Sequence, residues 1–421
     1  MSKPPSTGTA LRKAWRTVVP PSLRKYGQGA ALALARRRVD VALGVGEPAP
    51  VPGPVIVSGL LSGATGVSRG ARLTVEGIRA AGYAPIVHDL APVFAASDAS
   101  ASRLPVDRPG GVWLLHVNAP EALAVLSRIS PTNWLGRYRI AYWAYELAKI
   151  PASWVKAARA FHEIWTPSRF VADAVIASGV TKPVHVMPHP VMLGPPPFIG
   201  DPASSDFVVL AMGDLKSSAA RKNLVGAIEI YKRAFPEISP MRRLILKVQS
   251  DDAHPEFRKA ALPAAAGRGD IQFLTGSISD AEISKLIASA SVFLSPHRSE
   301  GFGLVLAEAF LSGVPALATG WSGNIDFMSG IPELMIDHKL VRVRDPSHIY
   351  RAANLSWADP DIDDAVHKLQ VLAQSAGLRR HLAAKGREAI AAQLRAWSHE
   401  ALAATLFGKF AEGQAPAQAK V

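Results

Sequence analysis

Short unbroken apolar runs alternate along this chain with stretches in which apolar positions return every three or four residues. The first spacing fits strands buried on both faces, and the second fits amphipathic helices. Val55 to Val57 forms one such run, followed by a turn carrying Gly59, Gly63 and Gly66. A helical pattern then extends from about Ser68 to Ala81, is closed by Gly82, and leads into the strand PIVHDL. Strand, glycine turn, helix and strand is the opening of a nucleotide-binding α/β unit. The strands GVWLLHVNA, RIAYWAYEL (with Trp143, Tyr145 and Glu146 at its end) and HEIWTPS follow; SRFVADAVIASG reads as helical, and VHVMPHP closes the series.

The pattern breaks at VMLGPPPFIGDPASSD, whose Pro and Gly content suits an interdomain linker. It then restarts with the strand FVVLAMGD, the helix KNLVGAIEIYKRAF and the strands RRLILKVQS and DIQFLTGSIS. Next come the helix DAEISKLIASA, capped by Ser279 or Asp280, and the strands VFLSPH and PALATG. Residues 376–411 are mostly helical and Ala-rich, and the final EGQAPAQAKV reads as disordered. Strands alternating with helices predict parallel sheets covered on both faces. The chain therefore divides into a basic tail and linker (1–53), two Rossmann-like domains (54–200 and 201–411) and a disordered tail (412–421). In such sheets ligands lie beyond the carboxyl ends of the strands. His116, Asn118, Glu146, Ser168, Asp214, Lys247 and the segments 297–300 and 319–326 occupy those ends, where two domains can face one cleft.

Composition narrows the chemistry. The 421 residues contain no cysteine, which excludes disulfides, thiolate metal ligands and a cysteine nucleophile. No apolar run reaches the roughly 18 residues of a membrane-spanning helix, and MSKPPSTGTALRKAW lacks the apolar core of a secretory signal. A cytoplasmic location is expected. The net charge is +13, and nine Lys or Arg against the single acid Asp40 fall within residues 1–40. This segment is either a peripheral anchor on an anionic membrane surface, worth about 1 kcal/mol per basic residue near the lipid, or a solvated tail. Nucleic acid is not expected as a partner, because no module interleaves the basic residues with stacking aromatics. The Asp251–Asp252 pair before His254 lacks a convergent ligand set, so no metal site is expected.

The sharpest chemical signal is SEGFGLVLAEAFLSGVPALATG at 299–320, which sets Glu300 and Glu308 eight residues apart. Gly301 and Gly303 permit a tight turn and close backbone approach. The helix that begins near Leu304 aims its first N–H groups back at this turn, which makes an anion site suited to phosphate. Glu308, the only charge between Leu304 and Pro315, accepts hydrogen bonds only and so suits a pair of sugar hydroxyls such as those of a ribose. The alternative is a surface glutamate at 308 and a helix cap at 300. Lys247 is either aimed at the cleft or an exposed strand end, and Trp154 and Trp165 read as core.

This stretch resembles the E-x7-E signature of the retaining GT-B glycosyltransferases of family 4. The likeness extends to RKN at 221–223, YWAYELAKIPASW, EIWTPSRFVADA and TGWSGNIDFM, covers about residues 54–400, and points to a bacterial subgroup acting in surface polysaccharide assembly. It implies a GT-B fold in which the C-terminal domain binds a nucleotide-diphosphate sugar and the N-terminal domain a glycan or lipid-linked acceptor. No cofactor and no metal are implied. The resemblance assigns Glu308 to the ribose, Glu300 and Gly301, Phe302 and Gly303 to the donor sugar and phosphates, and Lys222 to the leaving diphosphate. Arg221 is a second clamp or a solvated charge. Gly66 belongs to a turn that resembles the family's glycine loop, or is a tight turn only. Asn324, beside Asp326, lines the donor pocket or stabilises a turn. His116 or Asn118 contacts sugar or acceptor, His116 being the catalytic candidate beside Glu300 and Lys222, unless it is merely hydrogen-bonded. Glu146 is an acceptor-side group. Many family members carry Gly-Arg after the first strand of the second domain, where this chain has Gly213–Asp214. Phosphate clamping then rests on Lys222, Arg221 or Arg298. Two other readings remain: a non-catalytic nucleotide-sugar-binding relative, and a nucleotide-dependent oxidoreductase with a broken glycine fingerprint.

Overall fold

The computed structural model describes residues 21–63, 65–95, 103–192, 206–249, 255–350 and 354–412. Residues 1–20, the core of the linker at 193–205, Asp251, Asp252 and His254, and 413–421 of the expected tail lie outside the described residues.

Six parallel strands form the first sheet: β1 (Val55–Gly59), β2 (Ile86–Asp89), β3 (Val112–His116), β4 (Tyr138–Tyr142), β5 (Glu163–Thr166) and β6 (Val184–Val186). Their order is β2-β1-β3-β4-β5-β6. The four central strands are buried along their whole lengths, as expected of a covered parallel sheet, and their buried charges are partnered: Arg139 in β4 by Glu47, and Glu163 in β5 by the Tyr138 hydroxyl and the Trp165 indole. The second sheet contains β7 (Phe207–Asp214), β8 (Arg242–Gln249), β9 (Ile271–Thr275), β10 (Val292–Ser295), β11 (Ala316–Thr319) and β12 (Met335–Ile336). Here the order is β12-β11-β10-β7-β8-β9. Each sheet thus has a point where the strand order reverses, between β1 and β3 and between β7 and β10. Connections leave such a point in opposite directions and open a crevice there. A two-stranded ribbon of β13 (His338–Arg342) and β14 (Ser356–Pro360), and a helix Pro255–Ala265, were not predicted from the pattern.

Two domain boundaries differ from the expected ones. Residues 21–44 are a helix, not part of a tail, and its Ala35, Val39 and Ala42 are buried against the N-terminal domain. Pro21 is the first residue of this helix, where Pro is tolerated because the N–H of a first turn has no acceptor within the helix. Glu47, in the supposed linker, is ion-paired with buried Arg139. At the other end, residues 397–411 return to the N-terminal domain. Trp397, Leu402 and Phe407 pack with Val75, Tyr83 and Trp165, and the Gly53 N–H donates to the Phe410 carbonyl at 3.1 Å. The chain therefore crosses between the domains twice.

Candidate active site

The two switch-point crevices face each other across a cavity of about 460 Å³. The loop after β1, the end of β3, the end of β7 and the loop after β10 all contribute to its wall.

The loop after β10 is held in place by buried groups. Glu300 donates its backbone N–H to the Ser322 hydroxyl at 2.7 Å and receives the Gly323 N–H on its carbonyl at 2.9 Å. A Cβ on Gly323 would overlap the Gly301 carbonyl, so only glycine allows this approach. Ser168 of the first domain donates to the same Gly301 carbonyl at 2.6 Å. Gly303 adopts φ +93° and starts the helix Leu304–Leu311. Gly301, Phe302 and Gly303 line the cavity, as expected. Arg298 does not. It donates to the Ala220 carbonyl, pairs with Asp359 at 3.0 Å and stacks on Trp357, because its side chain turns toward the β13–β14 ribbon. Asn324 also lies outside the lining. It is fully buried and donates to the Thr319 carbonyl at 3.0 Å, supporting the loop from behind.

Arg221 and Lys222 end a short helix, Ala219–Lys222, that stops at Asn223 in the left-handed conformation. Both reach Glu300 Oε1: Lys222 Nζ at 2.6 Å and Arg221 Nη1 at 3.2 Å. Arg221 is only 2% exposed, so it is not a solvated charge. It also donates to the Ser299 carbonyl at 2.7 Å and lies 3.9 Å from Glu146. Burial raises the pKa of Glu300, but Lys222 and Arg221 outweigh it and hold the carboxyl well below the usual carboxylate range. Glu146 accepts from the Tyr350 hydroxyl at 2.7 Å, so this expected acceptor-side group also ties the domains together.

Glu308 lies about one turn into its helix and is 7% exposed, which excludes a surface role. Its partner is Arg69, whose Nε ion-pairs with it from the N-terminal domain. Burial pushes the Glu308 pKa up to about 7, against the lowering effect of Arg69. Arg69 Nη1 also lies 3.1 Å from Asp280, and Arg72 lies 2.9 Å from the same carboxylate. Arg69 and Arg72 follow the glycine turn at helical spacing, on the helix Gly66–Ala80 capped by Thr65. The sequence carried that signal, but not which domain they meet.

Gly66, His116 and Asn118 line the cavity on the first-domain side. His116 is 2% exposed, shares a 2.9 Å hydrogen bond with Thr74, and stacks on Tyr142 with centroids 4.0 Å apart. His189, which the sequence did not single out, joins the stack. Burial lowers the pKa of His116, and the neighbouring His189 adds to the shift; burial lowers His189 to about 4, so both rings are neutral near pH 7. Asn118 accepts the Ala144 N–H at 3.0 Å, fixing the turn after β4. Lys247 is 4% exposed, lines the cavity and donates to the Gly276 carbonyl, so it is not an exposed strand end. Asp214 also lines the cavity and caps the turn at Lys216 with a 3.1 Å bond.

Two parallel Rossmann-like domains, meeting over a glycine turn, a helix N-terminus, paired basic residues and two carboxylates, define the GT-B glycosyltransferase class. Residues 169–403, more than half of the chain, match the family described as Family 4 Glycosyltransferase in conflict systems. The chain belongs to this family. The fold is similar to that of the E. coli trehalose-6-phosphate protein bound with UDP-2-fluoro glucose (TM-score 0.56, 12% identity, covering 84% of this chain and 99% of that one). Anabaena Alr3699/HepE in complex with UDP and glucose is similar to the same degree (TM-score 0.55, 11% identity, 84% and 99% covered). The sulfoquinovosyl transferase SQD2 of Arabidopsis thaliana is 28% identical over 145 residues, 32% of this chain and 25% of that protein. The chain thus matches about a quarter of the curated relative's length, and S. aureus TarM matches over 55% of its own.

Proposed function

We propose that this protein transfers a sugar from a nucleotide-diphosphate sugar to a glycan or lipid-linked acceptor, with retention of anomeric configuration, in polysaccharide or lipopolysaccharide assembly. The observation that carries the reading is Lys222, 2.6 Å from a buried, ionised Glu300 in the cavity between the domains, with Glu308 on the helix that follows. Cleavage of the donor leaves negative charge on a diphosphate. Lys222 and the first N–H groups of the helix Leu304–Leu311 are positioned to stabilise it without reorganisation. Glu300, kept ionised, accepts from the hydroxyls of the donor sugar, and its charge favours the positive character that develops on the ring. Glu308 accepts from the ribose. His116 and Asn118 face the acceptor side, and neutral His116 can accept or donate a hydrogen bond there. The cations of the chain supply the charge the diphosphate needs, so no metal enters the scheme. The basic N-terminal segment fits work at the cytoplasmic face of an anionic membrane.

Asp214 favours a second reading, a non-catalytic nucleotide-sugar binder, because it places a negative charge in the cavity wall where the resemblance expects an arginine. Thermal shift against UDP, GDP, dTDP, their sugars and NAD comes first; a shift with NAD alone sinks the proposal. Donor turnover with a lipid-linked acceptor extract follows, with the anomer of the product read by NMR. Binding of a nucleotide-sugar with neither transfer nor hydrolysis supports the second reading.

A further inference from the structure

Among the described residues, Arg69 is the side chain hydrogen-bonded to the Glu308 carboxylate. A ligand that uses this carboxylate must therefore displace a guanidinium. The displaced group then keeps only Asp280 among its present carboxylate partners, 3.1 Å from Arg69 and shared with Arg72 at 2.9 Å, so one exposed carboxylate serves two guanidiniums. Glu308 lies about one helical turn, roughly 5 Å along the axis, from the N-terminus of its helix. The first N–H groups there have no acceptor within the helix, and Leu304 and Val305 line the same cavity. An arginine side chain spans that distance by rotating about its own bonds.

We propose that Arg69 is a two-position residue of the donor site, holding Glu308 while the cleft is empty and moving to the donor diphosphate when the ribose takes Glu308. This rests on the nucleotide-sugar reading above and extends it to a residue of the opposite domain. The exchange keeps every buried charge partnered at each stage. The carboxylate trades a guanidinium for two hydroxyls, and the guanidinium trades a carboxylate for two phosphates. It also explains how a cleft closed by the Arg69 and Arg72 pairs admits a ligand, since donor binding removes one of these ties and replaces it with a bridge through the diphosphate.

The test separates the two halves of the ligand. Uridine, guanosine and thymidine, and their diphosphates, are titrated calorimetrically into wild type, Arg69→Gln and Arg69→Lys, with circular dichroism as the check on folding. The exchange predicts that Arg69→Gln weakens the diphosphate about tenfold or more while the matching nucleoside binds as well as to wild type or better. Arg69→Lys restores diphosphate affinity in part. Equal weakening of nucleoside and diphosphate overturns the proposal, because Arg69 then only holds the domains together, and unchanged diphosphate affinity overturns it as well. Asp280→Asn is an independent variant that leaves Arg69 in place. It tightens the diphosphate alone if the exchange operates, and a loss of affinity for both ligands counts against it. Failure of wild type to bind any of the diphosphates removes the nucleotide-sugar reading itself.

Discussion

Lys222 and Arg221 are adjacent in sequence, and both reach the same oxygen of Glu300, at 2.6 and 3.2 Å. They do so from different surroundings. Lys222 approaches from the cavity wall with a partly exposed side chain, whereas Arg221 is enclosed by the Ser217 and Ser299 carbonyls and Glu146. One substitution should therefore act on turnover and the other on the fold.

Lys222→Ala is expected to lower turnover by about 10²–10³ with a small change in melting temperature, because a transition-state cation is lost while Arg221 still neutralises Glu300. Arg221→Met should cost about 3–5 kcal/mol in urea denaturation, as removal of one partner of a buried ion pair does. Wild-type turnover in Lys222→Ala sinks its assignment to the diphosphate.

The pKa of Glu308 gives a pH signature with a definite sign. Its folded value of about 7 lies above the ordinary 4.5, so the folded state holds a proton that the unfolded chain releases between those values. The associated stability is fully present below pH 4.5 and is lost as pH rises through 7, on the order of 3 kcal/mol over the window. Glu308→Gln removes this dependence. The difference in unfolding free energy between variant and wild type, measured from pH 4.5 to 8, should widen in favour of the variant; a flat difference refutes the assignment.

Gly323→Ala tests the support of the site loop. The added methyl would overlap the Gly301 carbonyl, and backbone on both sides leaves no flexible group to yield. Displacement of Glu300 and Gly301 by about 1 Å should lower turnover roughly 100-fold while the protein stays folded. Activity within twofold of wild type would show that the loop has slack.

The returning C-terminal segment is probed by Trp397→Ala. Trp397 is buried edge-on against Trp165 and donates from its indole to the Pro188 carbonyl at 2.6 Å. Truncation should cost about 3–5 kcal/mol in denaturant unfolding, a loss that a surface position would not show.

Charge reversal addresses the membrane. Arg37 and Arg38 are exposed on the helix Pro21–Gly44, beside the exposed Leu34 and Val41. Arg37→Glu with Arg38→Glu should reduce co-sedimentation with anionic liposomes and leave the melting temperature unchanged. Undiminished sedimentation retires the anchor.

The alternation of strands and helices in the two sheets, the glycine turns, and the presence of Glu300, Lys222 and Glu308 at one cavity were legible in the sequence, whereas the β13–β14 ribbon and the helices Pro21–Gly44 and Pro255–Ala265 were not. Each legible feature follows from local rules: apolar period reports which faces are buried, and a carboxylate alone in an apolar helix reports a partner. The identity of that partner was not legible. Arg69 and Glu308 are 239 residues apart, and only the facing of the two switch points brings them together. The same holds for Arg298, which sits in the right segment but turns toward Asp359, and for residues 21–44, whose basic composition hid a helix that packs through three small apolar positions. Sequence pattern thus set which groups have chemistry to offer. Tertiary packing decided which of them meet, because the pairing of charges depends on how whole domains are oriented and not on the neighbours of each residue along the chain.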